Sequence, residues 1–321
     1  TVFKSSADGN LVKDTTERKT TLNSHEVGIR ITHSGVCGTD LHSLGMDIVL
    51  GHEGSGIVEE IGEKVQNFKA GDHVGFGYVK DGCGHCDYCQ AGSFWHCKDS
   101  RHYQKTDFDQ GSFSTYAVWP ETLLVHIPEG MNGEHAAPFM CGGQTVWVPL
   151  TRYGIKPSDR VGIIGIGGLG HLAIQFAHKM GLEVVVFSST ESKREEAIAL
   201  GASEFYAGDS VPEKGIDYLL VTTSGHPDWA KYMSLMSPFG HIFPLLVTNE
   251  PMNFPFMPFL GKELSFHGSC SSTPQEDARM MRFAALHGIK PVIEEFPMTL
   301  EGAKQALEKL KKGKVRYRAV L

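Results

Sequence analysis

Residues 161–164 form a short apolar strand that runs straight into Gly165-Ile166-Gly167-Gly168-Leu169-Gly170, then a helical pattern over 171–180, then a second apolar strand over 183–187. Strands that are apolar at every position are buried on both faces, and a helix between two of them makes a βαβ unit of a parallel sheet. Taken alone, G-x-G-x-x-G is a weak signal. Between a strand and a helix it gains a physical meaning. Gly165 permits a tight turn, Gly167 lets the backbone approach a pyrophosphate, and Gly170 lets helix pack closely on strand. The helix N-terminus adds unpaired N–H groups and partial positive charge. The alternation continues with a helix over 193–200, a strand over 217–221, a helix over 229–236 and strands over 241–246 and 263–269. This predicts a doubly wound α/β domain of Rossmann type that binds a dinucleotide.

The end of the second strand bears on which dinucleotide. An NAD site places an acidic side chain there to bond the ribose hydroxyls. Here the sequence is Phe187-Ser188-Ser189-Thr190-Glu191-Ser192-Lys193-Arg194. Four hydroxyls and two cations suit a 2′-phosphate, which wants donors and positive charge. The reading favours NADP(H), with Ser188, Ser189, Thr190 and Lys193 as phosphate contacts. Glu191 is the dissent: either it reaches a ribose across a short turn, or it is a first-turn residue favoured by the helix dipole.

Four of the seven cysteines, Cys83, Cys86, Cys89 and Cys97, fall in one run spaced C-x2-C-x2-C-x7-C. Four close thiolates make a closed, tetrahedral structural zinc site. A disulfide pair fits less well, because C-x2-C rarely suits disulfide geometry and no hydrophobic targeting core opens the sequence. Cys37, His52 and Cys141 offer two thiolates and an imidazole, which leave one tetrahedral position open as a catalytic zinc requires. Their spacing is long and carries no signal by itself. Singly, Cys37 and Cys141 read first as small buried hydrophobes, and His52 as a satisfied polar residue. Cys270 reads as an ordinary buried thiol.

A net charge of −7 gives no electrostatic footprint for nucleic acid. The basic cluster Lys309, Lys311, Lys312, Lys314, Arg316 and Arg318 reads as a solvated helix end and strand. No apolar run approaches the ~18 residues of a membrane span. Zinc, reduced thiols and no export signal point to the cytosol. Residues 1 to about 150 are β-rich and turn-rich, with strands over 26–32 and 54–61 and a turn opening a strand at 69–75. An amphipathic helix over 300–312 and a strand over 315–321 close the chain, and 251–259, with three prolines, reads as irregular.

These segments together resemble the zinc-containing medium-chain alcohol dehydrogenases, and most the cinnamyl-alcohol-dehydrogenase branch with its fungal NADP-dependent members. The stretches 35–42, 51–56, 136–149, 163–170, 187–193 and 313–318 and the four-cysteine lobe carry the resemblance over nearly the whole chain. It implies a β-rich GroES-like catalytic domain, 1–148 with 286–321, a Rossmann cofactor domain, 149–285, and an active cleft between them. It implies that Cys37, His52 and Cys141 bind catalytic zinc, with Glu53 behind the metal as a transient ligand. Asp40 orients the zinc-binding histidine. Thr39 and His42 relay a proton from the substrate oxygen to solvent, and Thr145 lies near the nicotinamide or phosphate end of the cofactor. The implied activity is hydride transfer between NADP(H) and an aldehyde or primary alcohol of aryl, cinnamyl or medium-chain aliphatic type, in a homodimer. Trp95, Trp119 and Trp147 are candidates for shaping the substrate pocket, with core packing as the equal alternative. One departure stands out. Only fourteen residues separate Cys37 from His52, fewer than the family usually has, and 44–49 lacks a loop that helps line the pocket. The expectation is that the sequence as read lacks residues there; a true deletion would disturb pocket shape and zinc geometry. The competing readings are an NAD-linked alcohol or polyol dehydrogenase, a nucleotide-binding relative without turnover, and, against the charge, a zinc-dependent nucleic-acid module.

Overall fold

The computed structural model describes residues 1–19 and 21–321. The chain forms two compact units, Thr1–Gln144 with Ser271–Leu321, and Thr145–Cys270. The junctions expected at 148/149 and 285/286 thus fall at 144/145 and 270/271. The second shifts most because the helix Pro274–His287 packs within the first unit: Thr273 lies against Gly92, and Met280 against Gly143. That helix, absent from the sequence reading, opens with a capping box between Thr273 and Glu276 and Pro at its first position.

The first unit is built on a long antiparallel strand, Glu26–Val36, which pairs with Gly54–Ile61 on one side and with both Arg318–Val320 and Tyr116–Pro120 along its length. Alternate residues Val27, Ile29 and Ile31 turn inward against Val58, Val74, Phe76 and Trp119. The helix Leu300–Lys311 buries Ala303, Ala306 and Leu307, spaced as one helical face, against Ile48, Leu50 and Tyr103. The closing strand, expected over 315–321, is confined to Arg318–Val320.

The second unit is a six-stranded parallel sheet. Its strand order is Glu204–Ala207, Glu183–Ser188, Arg160–Ile164, Ile216–Val221, Met236–Pro244, Ser265–Phe266. The chain order reverses direction between Arg160–Ile164 and Ile216–Val221, and in such sheets the crevice beyond the strand ends at that point takes the ligand. The expected strand over 263–269 shrinks to Ser265–Phe266, and the segment 251–259, expected to be irregular, runs into a short helix, Phe256–Gly261. Cys270, expected to be buried, is exposed. Among the described residues no helix is long and apolar enough to cross a membrane.

Candidate active site

Strand register explains how Cys37 meets His52. Ser34 pairs with Gly54, and the Gly35 amide donates to the Glu53 carbonyl at 2.9 Å. Cys37 follows the end of one strand and His52-Glu53 precede the start of its neighbour, so the pair meets at one sheet end. The fourteen residues between fold as a short helix, Gly38–His42, a turn through Gly45, and the strand Ile48–Val49. Asp40, fully buried, ties both ends of this segment. One carboxylate oxygen accepts the Cys37 amide at 2.8 Å. The other accepts the Gly51 amide at 3.1 Å and the Tyr103 hydroxyl at 3.0 Å, and lies 3.2 Å from His52 Nδ1. The short segment is thereby held at both ends beside the Cys37–His52 corner.

Cys141 joins from the turn before the helix Gly142–Arg152, with Met140 seated on Gly75. The donor atoms of Cys37, His52, Glu53 and Cys141 all lie within 4.8 Å of one another. The Cys37 and Cys141 sulfurs are 3.9 Å apart, close to the ~3.8 Å edge of a tetrahedron with 2.3 Å Zn–S bonds. His52 Nε2 is buried with no hydrogen-bond partner, while Nδ1 faces Asp40. An orphaned ring nitrogen, oriented through its other nitrogen by a carboxylate and aimed at two thiols, is the donor set a zinc ion fits.

The contacts within the cluster shift the titration of each group. The bond shared with Cys141 holds Cys37 well below the ordinary thiol range, and the same bond together with burial pushes Cys141 well above it. Burial pulls His52 down, but the Asp40 carboxylate and Cys37 together outweigh it and raise the imidazole well above its usual value. Behind the thiols, Glu53 is clamped by both its oxygens to Arg318, and both residues are buried. Burial pushes Glu53 up to about 7 against the pull of that guanidinium. Arg318 was expected among solvated charges. It turns inward because Ala319 pairs with Val36, which sets its own side chain beside Glu53.

Thr39 and His42 sit three residues apart on the short helix, one face of a helical turn. Thr39 Oγ1 lies 3.7 Å from Cys37 Sγ, and His42 is exposed. Of the three tryptophans, Trp119 is core, 2% exposed, against Phe76. Trp147 is buried against Phe176 in the second unit. Trp95 stacks on His102 and approaches Tyr78, whose ring lies 5.6 Å from that of His52. The sequence reading missed Tyr78, Tyr103 and Arg318. No spacing marks them: Tyr78 and Tyr103 flank the paired strands Val79–Asp81 and Arg101–His102, and Arg318 lies in the closing strand.

The cysteine lobe is separate and local. The sulfurs of Cys83, Cys86, Cys89 and Cys97 converge within 4.8 Å, with Cys83 and Cys89 4.0 Å apart. Backbone amides of His85 and Cys86 lower Cys83 to about 6, and burial pushes Cys89 up to about 12. Four converging sulfurs, with backbone amides donating to Cys83 and to Cys97, fit a closed zinc site.

In the second unit the glycine loop lies at the reversal of strand order. Gly165 has φ +93°, and its amide donates to the Phe187 carbonyl at 2.8 Å. A Cβ on Gly170 would lie 2.0 Å from the Gly165 carbonyl oxygen, whereas one on Gly167 would meet nothing within 4 Å. The tight contact and the open backbone are the two properties a pyrophosphate cradle needs. Gly168 and Leu169 lead into the helix Gly170–Lys179. Lys193 Nζ donates to the Ile166 carbonyl at 2.7 Å, which places its ammonium beside this loop, and Ser188, Ser189 and Thr190 follow the adjacent strand end. Thr145 lies in the first turn of Gly142–Arg152.

The comparisons agree with this architecture. Residues 23–129 match the alcohol dehydrogenase GroES-like domain family, and residues 168–285 match the zinc-binding dehydrogenase family. The chain is similar to the NADP-dependent alcohol dehydrogenase C 1 of Mycolicibacterium smegmatis, 33% identical over 98% of this chain and 95% of that protein. It is also similar to the probable cinnamyl alcohol dehydrogenase 5 of Oryza sativa subsp. japonica, 34% identical over 98% and 93%. A solved cinnamyl alcohol dehydrogenase of Sorghum bicolor superposes with a TM-score of 0.90 at 30% identity, covering 99% of this chain and 96% of that one. The chain belongs to the zinc-containing, medium-chain alcohol dehydrogenase family.

Proposed function

We propose that the protein reduces aldehydes of aryl, cinnamyl or medium-chain aliphatic type with NADPH, and oxidises the matching primary alcohols in reverse. The observation that carries this is the three-donor set Cys37, His52 and Cys141 with its orphaned His52 nitrogen. A zinc ion held there supplies Lewis-acid polarisation of a carbonyl oxygen. A nicotinamide cofactor held at the glycine loop supplies the hydride. The residues of the chain do the rest. Asp40 fixes the His52 tautomer, so that Nε2 stays a donor. Glu53, balanced by Arg318, holds a carboxylate behind the thiols, in reach as a transient ligand. The Thr39 hydroxyl hands a proton to the developing alkoxide, and the exposed His42 replaces it from solvent. Cys83, Cys86, Cys89 and Cys97 hold the structural zinc. Gly165, Gly167, Gly168, Leu169 and Gly170 cradle the pyrophosphate, Thr145 meets the nicotinamide or phosphate end, and Ser188, Ser189, Thr190 and Lys193 take the 2′-phosphate.

The working form in this reading is a cytosolic homodimer. Support comes from the sheet edge Ser265–Phe266, beside which Phe239, Phe256, Met257 and Leu260 are all exposed. An uncovered sheet edge flanked by large apolar side chains is what a second copy covers. Light scattering on the eluted peak checks it, and a monomer mass would sink it.

The test of function is the initial rate of cinnamaldehyde reduction with NADPH beside NADH at matched concentration. Turnover confined to NADPH supports the whole reading. Turnover confined to NADH overturns the cofactor assignment, and none with either across an aldehyde panel overturns the activity.

A further inference from the structure

At the end of the strand Glu183–Ser188 a cation and an anion cancel each other. Arg194 donates from Nε to one Glu191 carboxylate oxygen at 2.7 Å and from Nη2 to the other at 2.9 Å. Its remaining nitrogen, Nη1, donates to the Phe205 carbonyl at 3.0 Å, and the guanidinium carbon lies 4.7 Å from the Phe205 ring centre. Every nitrogen of Arg194 and both oxygens of Glu191 are thus engaged. The pair straddles a short 3-10 turn, Glu191–Lys193, placed so that each partner is three residues from the other. Phe205, from the neighbouring strand Glu204–Ala207, anchors the arginine.

We propose that Glu191 and Arg194 are specificity-determining residues that mask one another, so that neither a ribose-binding carboxylate nor a phosphate-binding guanidinium is available to the cofactor. This rests on the cofactor assignment above, for which it names the controlling pair. Recognition of the 2′-phosphate then falls to the hydroxyls of Ser188, Ser189 and Thr190 and to the Lys193 ammonium beside the glycine loop. The pair acts as a balance with two arms. Removing the carboxylate frees a planar, bidentate cation suited to phosphate. Removing the guanidinium frees a carboxylate that bonds ribose hydroxyls and repels phosphate.

The test is calorimetric titration of Glu191→Gln, Arg194→Gln and the double variant with two adenosine probes, 2′,5′-ADP and 5′-ADP, which differ in carrying the 2′-phosphate. Glu191→Gln is expected to raise the affinity ratio of 2′,5′-ADP to 5′-ADP about fivefold, and Arg194→Gln to lower it about fivefold. The double variant, lacking both groups, returns to within about twofold of wild type, which is also the sum of the two opposed single shifts. Masking is read instead from 5′-ADP alone, whose affinity rises in Arg194→Gln as the carboxylate is freed and is unchanged in Glu191→Gln. A carboxylate already free in the wild type would instead lose 5′-ADP affinity in Glu191→Gln and overturn the proposal. Ratios within twofold of wild type in both single variants, or shifts of the same sign, overturn the proposal. Loss of the fold lowers both affinities together and leaves the ratio alone, so circular dichroism is recorded beside each titration. Wild-type protein that binds 5′-ADP as tightly as 2′,5′-ADP overturns the NADP assignment, while the 5′-ADP affinities of the two single variants still decide the masking.

Discussion

The two cysteine clusters solve one chemical problem in opposite ways. In the lobe, four donors lie within fifteen consecutive residues, and short turns bring them together. In the other cluster, donors from residues 37, 52 and 141 meet through strand register, and a buried layer of Asp40, Tyr103, Glu53 and Arg318 stands behind them. The lobe needs only its own loop to form. The second cluster needs the sheet first, and its donors are set among the charges of Asp40, Glu53 and Arg318. A closed local site suits stability and an open, preorganised one suits chemistry.

The sharpest way to break that comparison is to remove one thiol from each side. Cys37→Ser is expected to lower turnover about a thousandfold or more, since several kcal/mol of Lewis-acid stabilisation are lost at 1.4 kcal/mol per decade. Its far-ultraviolet circular dichroism should match wild type, with one bound zinc lost by metal analysis. Wild-type turnover in Cys37→Ser would end the assignment of the buried cluster as catalytic.

Arg318→Ala tests the layer behind. It leaves the Glu53 carboxylate buried without its partner, and breaking a buried pair costs about 3–5 kcal/mol. Urea denaturation of the zinc-loaded protein reads that cost. A loss below about 1 kcal/mol would show that Glu53 finds another partner and that the layer is not rigid.

Cys86→Ser should behave differently from Cys37→Ser. Losing the lobe's metal is expected to cost about 3 kcal/mol, or roughly 6–12 °C in Tm, with turnover per folded molecule reduced far less. Limited proteolysis should cut near residues 83–97. Equal losses of turnover in the two serine variants would erase the distinction between the sites.

How much of this was readable in the sequence follows from the same contrast. The lobe and the glycine loop were legible because their residues sit within one turn or one βαβ unit, where spacing is geometry. Cys37, His52 and Cys141 were legible only by resemblance, because the register of Ser34 with Gly54 is not written in any local pattern. Arg318 was misread for a related reason. Five other cations surround it in sequence, and only the pairing of Ala319 with Val36 reveals that it alone is 6% exposed beside Glu53. The tryptophans carried no positional signal, so Trp119 in the core and Trp95 near Tyr78 looked alike until the strands were paired.

The smallest change tests whether the buried layer tolerates even one carbon. Gly35 pairs with Val320 and holds its amide on the Glu53 carbonyl. A Cβ there would stand 1.9 Å from Glu53 Oε2 and 3.0 Å from Glu53 Cβ. The backbone at Gly35 needs no left-handed φ, so alanine brings steric conflict alone. The carboxylate must retreat, and Arg318, buried with it, must follow or lose its partner. Gly35→Ala is therefore expected to cost about 1–3 kcal/mol by overpacking. The cost should fall in a Glu53→Ala background, because the carboxylate at 1.9 Å is gone and only the Cβ contact at 3.0 Å remains, whereas a backbone effect would persist in full. A loss that is the same in both backgrounds would mean that Gly35 serves the sheet and not the site. Full coupling would show that the glycine beside Cys37 is there to make room for the charge behind the metal.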